Sequence, residues 1–394
     1  MSAHAPTIQK TALFSLRKRW ALFAGFCLSL LAAGYTCLQA AWEPGYAGRW
    51  LALAAALTAY LLVVFWRGLR QNHRPGEAVL LPDLGAGNIL TLLRGALLAA
   101  LAGFLLAPRP AGGLAWLPAL IYTLAIAADY LDGYAARRAN RVTRLGEILD
   151  MSFDGTGVLV AALLAVAYGQ VPAWYLLVAA ARPLFLAGEW LRRRQGMPVY
   201  PLPPSVRRRA FAGVQMGFVS VMLWPPFTPP GTHIAAALFA LPFLAGFVVD
   251  WLVASGALRP AAQPADKRAG AFRRWLPLAL RLAVVALNLA ILWPRFRDFP
   301  APLAFLTGPL LLGLLEVTVS ILILAGIAGR MAAIAGLLLL GAEQVFASLV
   351  PGQIILAGVY TALLYLGTGQ PALWQPEERW IYQRAGETRR PAKN

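Results

Sequence analysis

Asp129-Tyr-Leu-Asp-Gly-Tyr-Ala-Ala-Arg137, followed after a short connection by Gly146-Glu-Ile-Leu-Asp-Met-Ser-Phe-Asp154, is the stretch that decides how this chain is read. It places four carboxylates, Asp129, Asp132, Asp150 and Asp154, at the ends of two apolar runs, in a chain of 394 residues with only 17 acidic ones. Ionisable groups in membrane helices are costly, so they are read first as functional. Asp129 and Asp132 are spaced i,i+3 and Asp150 and Asp154 i,i+4, which puts each pair on one face of its helix. Turned together, the two faces would gather four like charges, which do not ionise stably side by side without a cation among them. A donor set made only of oxygen suits Mg²⁺ or Mn²⁺ rather than zinc.

Composition sets this stretch in a membrane. The chain is 59 % hydrophobic and 13 % charged, outside the range of a soluble core. Apolar runs predict an all-α integral membrane protein with twelve spans, near 21–41, 50–66, 95–107, 115–136, 148–168, 173–191, 210–224, 232–253, 275–294, 302–327, 331–349 and 352–369. The first run, with its basic flank at Arg17, Lys18 and Arg19, reads as a retained helix rather than a cleaved signal. The formal charge is +18, and the positives sit mostly at the termini and in the connections 67–94, 137–147, 192–209 and 254–274. By the positive-inside rule both termini are cytoplasmic, and the four aspartates come out at the cytoplasmic side. This basic balance reports topology and anionic lipid, and no nucleic-acid motif accompanies it. Cys27 and Cys37 both lie in the first run, and three scattered histidines form no zinc pattern. Residues 1–75 read as two extra spans, 76–255 as a six-span core, 256–274 as a cytoplasmic linker and 275–394 as four further spans with a polar tail.

The aspartate stretch resembles the signature of the CDP-alcohol phosphotransferase family, Asp-x2-Asp-Gly-x2-Ala-Arg-x8-Gly-x3-Asp-x3-Asp. Each fixed position is filled, by Asp129, Asp132, Gly133, Ala136, Arg137, Gly146, Asp150 and Asp154. A chance match per starting point is on the order of 10⁻¹⁰. The resemblance implies a six-helix membrane core that moves a phosphate-linked group from a CDP-alcohol, commonly CDP-diacylglycerol, to an acceptor hydroxyl with release of CMP. It implies Asp129, Asp132 and Asp150 as ligands of Mg²⁺ or Mn²⁺, as a pair of ions, and Asp154 as the base, itself able to touch a metal. It implies Gly133 and Ala136 as the small positions against which cytidine lies, Gly146 as a further nucleotide-side residue and Arg137 as a phosphate ligand. Gly133 and Gly146 also suit plain close helix packing.

Upstream, Asn88, Thr91 and Arg94 resemble the family's Asn-x2-Thr-x2-Arg segment, implied to contribute to nucleotide binding. The same residues also suit a helix cap and a snorkelling arginine. Downstream, Arg182 lies inside an expected span, and Arg209 stands at the start of the seventh. Both are candidates to hold an acceptor's phosphate, although Arg182-Pro183 and Phe211-Ala212 depart from the pattern of phosphatidylglycerophosphate synthases. Residues 275–369 resemble the DoxX-like four-helix membrane family through Gly313 to Glu316, Gly326 to Arg330 and Tyr365 to Gly369. Glu316 and Glu343 are expected there to pair with Arg281 or Arg330, or to be protonated. The partners implied are the CDP-alcohol lipid, the acceptor alcohol, membrane lipids and a second copy in a homodimer. A competing reading is a transporter or redox-complex subunit with a non-catalytic cation site.

Overall fold

Helices account for the regular structure of the described residues. The computed structural model describes residues 4–203, 205–258, 267–297, 308–346 and 348–378. The helices are α1 (His4–Ala41), α2 (Pro44–Gly68), α3 (Gly85–Ala102), α4 (Leu117–Arg138), α5 (Arg144–Ala167), α6 (Leu176–Arg194), α7 (Val206–Met222), α8 (Gly231–Ala254), α9 (Lys267–Arg297), α10 (Gly308–Ala325), α11 (Gly329–Glu343) and α12 (Pro351–Leu366). Seven of them, α1 to α5, α8 and α9, are long and apolar enough to cross a membrane, and the apolar stretches Leu311–Ala325 and Pro351–Leu366 are shorter. The protein is an all-α integral membrane protein. Residues 259–266 of the expected linker, 302–307 of the tenth expected span and 379–394 of the polar tail lie outside the described residues. Helix α9 begins at Lys267, inside the stretch read as linker.

The chain groups into two compact units, one taking Met1–Gly169 and Met216–Pro225, the other Gln170–Gln215 and Pro226–Gln383. In the first unit α1 and α2 form a hairpin. Trp20 Nε1 donates to the Leu62 carbonyl at 2.9 Å, and the Trp20 and Trp66 rings meet edge to face at 4.9 Å. Trp50 carries α2 onto α3 by donating from Nε1 to the Ala100 carbonyl at 2.9 Å. Helix α3 is the centre of the unit. It packs against α2, α4 and α5, and Gly95, Ala96, Ala99, Ala100 and Ala102 are all buried on it. Small side chains let neighbouring membrane helices approach closely. The sequence placed the third span from residue 95, because polar residues precede it. The helix runs back to Gly85 and takes Asn88, Thr91 and Arg94 inside the unit.

Two local devices bring α5 beside α4. Helix α4 ends at Asn140, whose φ of 49° is left-handed, and Arg141 N closes the turn on the Ala136 carbonyl at 2.9 Å. Asparagine tolerates this conformation better than other non-glycine residues. Thr143 then caps α5 by accepting from Gly146 N at 3.1 Å. The connection 69–84 is tied to the same end. Asn72, fully buried, donates to the carbonyls of Leu81 at 2.9 Å and Asp83 at 2.8 Å, and Arg141 pairs with Asp83 at 2.5 Å.

In the second unit α9 to α12 enclose polar groups that answer one another. Asn288 donates to Ser320 Oγ and to Tyr360 Oη, both at 2.8 Å, and Gln353 donates to Glu343 at 2.5 Å. Glu316 is buried. Arg281 donates to backbone carbonyls, those of Thr368, Gly369 at 2.7 Å and Pro371 at 2.6 Å among them. Arg330 pairs with Glu378 at 2.8 Å. In the same unit Tyr175, just before α6, donates to Gln215 at 2.7 Å, and Gln215 donates to the Phe239 carbonyl at 2.5 Å.

Replacing Asn72 with Ala removes the donor to two part-buried carbonyls of the 69–84 connection, and we expect a loss of about 0.5–1.5 kcal/mol in unfolding free energy for each bond. Thermal unfolding of the purified protein in detergent reads this; an unchanged melting temperature would show that the connection is held by something else.

Candidate active site

Three helices of the first unit supply the site. Asp129 and Asp132 project from the last three turns of α4, Asp150 and Asp154 from the first three turns of α5, and Thr91 and Arg94 from the middle of α3. The capped turn between α4 and α5 is what faces the two carboxylate pairs toward each other. One oxygen each from Asp129, Asp132 and Asp150 falls within 4.8 Å of the other two. Two oxygens on one octahedral Mg²⁺ lie ~3.0 Å apart when cis and ~4.2 Å apart when trans, for a ligand distance of ~2.1 Å, so the triplet stands open and has to draw together around an ion. Donor type and spacing both fit a hard divalent cation. Asp154 stands outside this triplet.

Arg94 organises the acids. Its guanidinium is 2 % exposed, while the side chains of Asp129, Asp150 and Asp154 are 29 %, 49 % and 39 % exposed. One terminal nitrogen, Nη1, donates to Asp129 and, at 3.0 Å, to Asp150; the other, Nη2, donates to Asp154. A planar fork of donors suits this division better than a lysine ammonium would. Asp132, 7 % exposed, accepts from Thr91 Oγ1 at 2.8 Å. Four carboxylates against one guanidinium leave the cluster strongly negative, which is the electrostatic condition for holding a cation.

The flanking residues are placed by close packing. A Cβ on Gly87 would come 2.9 Å from the Ala136 Cβ and 3.1 Å from the Asp132 carbonyl, so α3 and α4 meet only because residue 87 is glycine. A Cβ on Gly146 would come 2.6 Å from Asn88 Oδ1, and this contact supports the packing reading of Gly146. Asn88 donates to Thr143 Oγ1 at 3.0 Å and to Asn72 Oδ1 at 3.2 Å; its side chain ties α3 to the start of α5. Gly133, Ala136 and Arg137 are half-buried on α4, and the Arg137 guanidinium lies over Gly133, 2.8 Å from where a Cβ would sit. Arg182 on α6 and Arg209 on α7 are exposed and belong to the second unit.

Motif reading named the carboxylates, Asn88, Thr91 and Arg94. It did not find Asn72 or Thr143, which orient Asn88 from two loops. Thr143 left a signal, a threonine one residue before a helix; Asn72 left none.

Thr91→Val keeps shape and removes the hydroxyl that Asp132 accepts from. We expect a loss of about 1–2 kcal/mol in stability and recovery in Thr91→Ser, both read by thermal unfolding. Equal melting of all three proteins would show that this hydrogen bond contributes nothing.

Residues 85–262 match the family model described as CDP-alcohol phosphatidyltransferase. A protein of Mycobacterium tuberculosis strain H37Rv named as a cardiolipin synthase is 29 % identical over 140 residues, 34 % of this chain and 63 % of that protein. A CDP-diacylglycerol–glycerol-3-phosphate 3-phosphatidyltransferase of Yersinia enterocolitica is 29 % identical over 148 residues, 34 % of this chain and 75 % of its own. The Bacillus subtilis protein of that name is 34 % identical over 70 residues, 18 % of this chain and 36 % of its own. The chain thus spans less than two thirds of the mycobacterial relative. No solved structure matches.

Proposed function

We propose, from residues 85–262 being a CDP-alcohol phosphatidyltransferase domain, that this chain is a phospholipid-synthesis transferase. It moves a phosphatidyl group from a CDP-alcohol, CDP-diacylglycerol in this reading, to an acceptor hydroxyl and releases CMP. The observation that carries the reading is the convergence of Asp129, Asp132 and Asp150 within 4.8 Å on two facing helices. Those three carboxylates would hold Mg²⁺ or Mn²⁺, with Asp154 able to share a second ion. A bound divalent cation supplies positive charge to the pyrophosphate oxygens and to the departing phosphate.

The chain's own residues do the rest. Asp154, outside the triplet, takes the proton of the acceptor hydroxyl. The acceptor oxygen forms a bond to the phosphorus that carries the diacylglycerol, and the bond from that phosphorus to the CMP oxygen breaks. Arg94 divides its donors between Asp129, Asp150 and Asp154 and so fixes base and ligands in one frame. Arg137 offers a fork of donors to phosphate oxygens. Gly133 and Ala136 would leave the surface of α4 low enough for a flat base once the Arg137 guanidinium that lies over Gly133 turns to phosphate, and Asn88, Thr91 and Gly146 complete the nucleotide side by holding α3, α4 and α5 at their spacing. Arg182 and Arg209 are assigned to an acceptor that carries its own phosphate, in line with the glycerol-3-phosphate in the names of two relatives. The active site opens to the cytoplasm, with both termini on that side. Residues 76–255 form the catalytic core, and 275–394 form an accessory membrane module.

Purified protein should release CMP from CDP-diacylglycerol only with acceptor and Mg²⁺ or Mn²⁺ present, and chelation should abolish the release reversibly. Asp154→Asn should lower kcat by about 10²–10⁴-fold with the protein still folded. Turnover that survives chelation, or survives in Asp154→Asn, contradicts the assignment.

A further inference from the structure

We infer that the end of the α1–α2 hairpin that carries Arg17 and Arg70 holds an anionic phospholipid, in a cavity of about 270 Å³ lined by Leu13, Arg17, Trp66, Arg67, Leu69 and Arg70. This site lies outside the residues that match the family model and does not depend on the chemistry of the carboxylate cluster. Three of its six lining residues are arginines and none is acidic. Among the described residues Arg17, Arg67 and Arg70 make no ion pair with a carboxylate. Three guanidinium groups around one hollow, left uncompensated by the protein, call for an anion from outside.

The remaining walls say which anion. Trp66 lies under Arg17, whose guanidinium carbon is 5.6 Å from the ring centroid, which orients the charge without neutralising it. Leu13 and buried Leu69 close the hollow with apolar surface. The same hairpin carries exposed Leu22 and Val63, apolar surface for acyl chains. The volume is just under the ~300 Å³ at which drug-sized ligand sites begin, room for a headgroup with its tails left outside. A free phosphate has no use for these apolar walls. Basic pockets at the ends of membrane helices are where anionic headgroups bind.

Native mass spectrometry of the full-length protein, released from nanodiscs of phosphatidylglycerol and phosphatidylcholine, tests this. The wild type should retain phosphatidylglycerol selectively. The variant carrying Arg17→Gln, Arg67→Gln and Arg70→Gln should retain at least about tenfold less. A variant with the same charge change on α1 outside the cavity, Lys10→Gln, Lys18→Gln and Arg19→Gln, should behave as wild type. Should the triple cavity variant fail to fold, Arg67→Gln with Arg70→Gln leaves the Arg17–Trp66 contact in place and reads the same loss. Equal retention of phosphatidylcholine, or an equal loss in the control variant, overturns the site. So does retention of inorganic phosphate, added in detergent without lipid, with the same dependence on the three arginines.

Discussion

The grip of Arg94 on Asp129, Asp150 and Asp154 is the interaction on which the first unit depends. A guanidinium almost wholly removed from water needs acceptors around it, here carboxylates, and a set of carboxylates on two facing helices needs positive charge among them. The two requirements answer each other. The arrangement also fixes geometry, because one planar group divided between α4 and α5 sets their distance from α3. The cluster still carries more negative than positive charge, so the device that holds the helices together is also a device for drawing in a cation.

Much of this was legible in the sequence, for a physical reason. Helical spacing alone puts Asp129 with Asp132 and Asp150 with Asp154, and membrane helices rarely carry four acids without cause. Charge and hydropathy placed a helix on each expected stretch that the structure describes. The sequence could not say that Arg94 reaches acids on both neighbours, since that depends on how closely α3 approaches α4. Gly87 decides the approach, and a lone glycine has many readings. Asn72 was invisible for a related reason: its partners are two backbone carbonyls and another asparagine, and backbone partners leave no trace in residue identity.

Arg281 teaches the same lesson in the second unit. Its place inside an apolar run calls for partners or a polar lining, with Glu316 and Glu343 among the candidates. It donates to carbonyls of the turn after α12, and Gln353 donates to Glu343. Carbonyls released where a helix ends are strong acceptors, and they give a buried arginine beside such an end a polar lining.

Direct titration of the protein with Mn²⁺, followed by electron paramagnetic resonance of the free ion, tests the central claim that the α4 and α5 carboxylates form one cation site. The account predicts saturable binding to wild type that is lost in both Asp129→Asn and Asp150→Asn, substitutions on different helices. Binding that persists unchanged in either variant would contradict it.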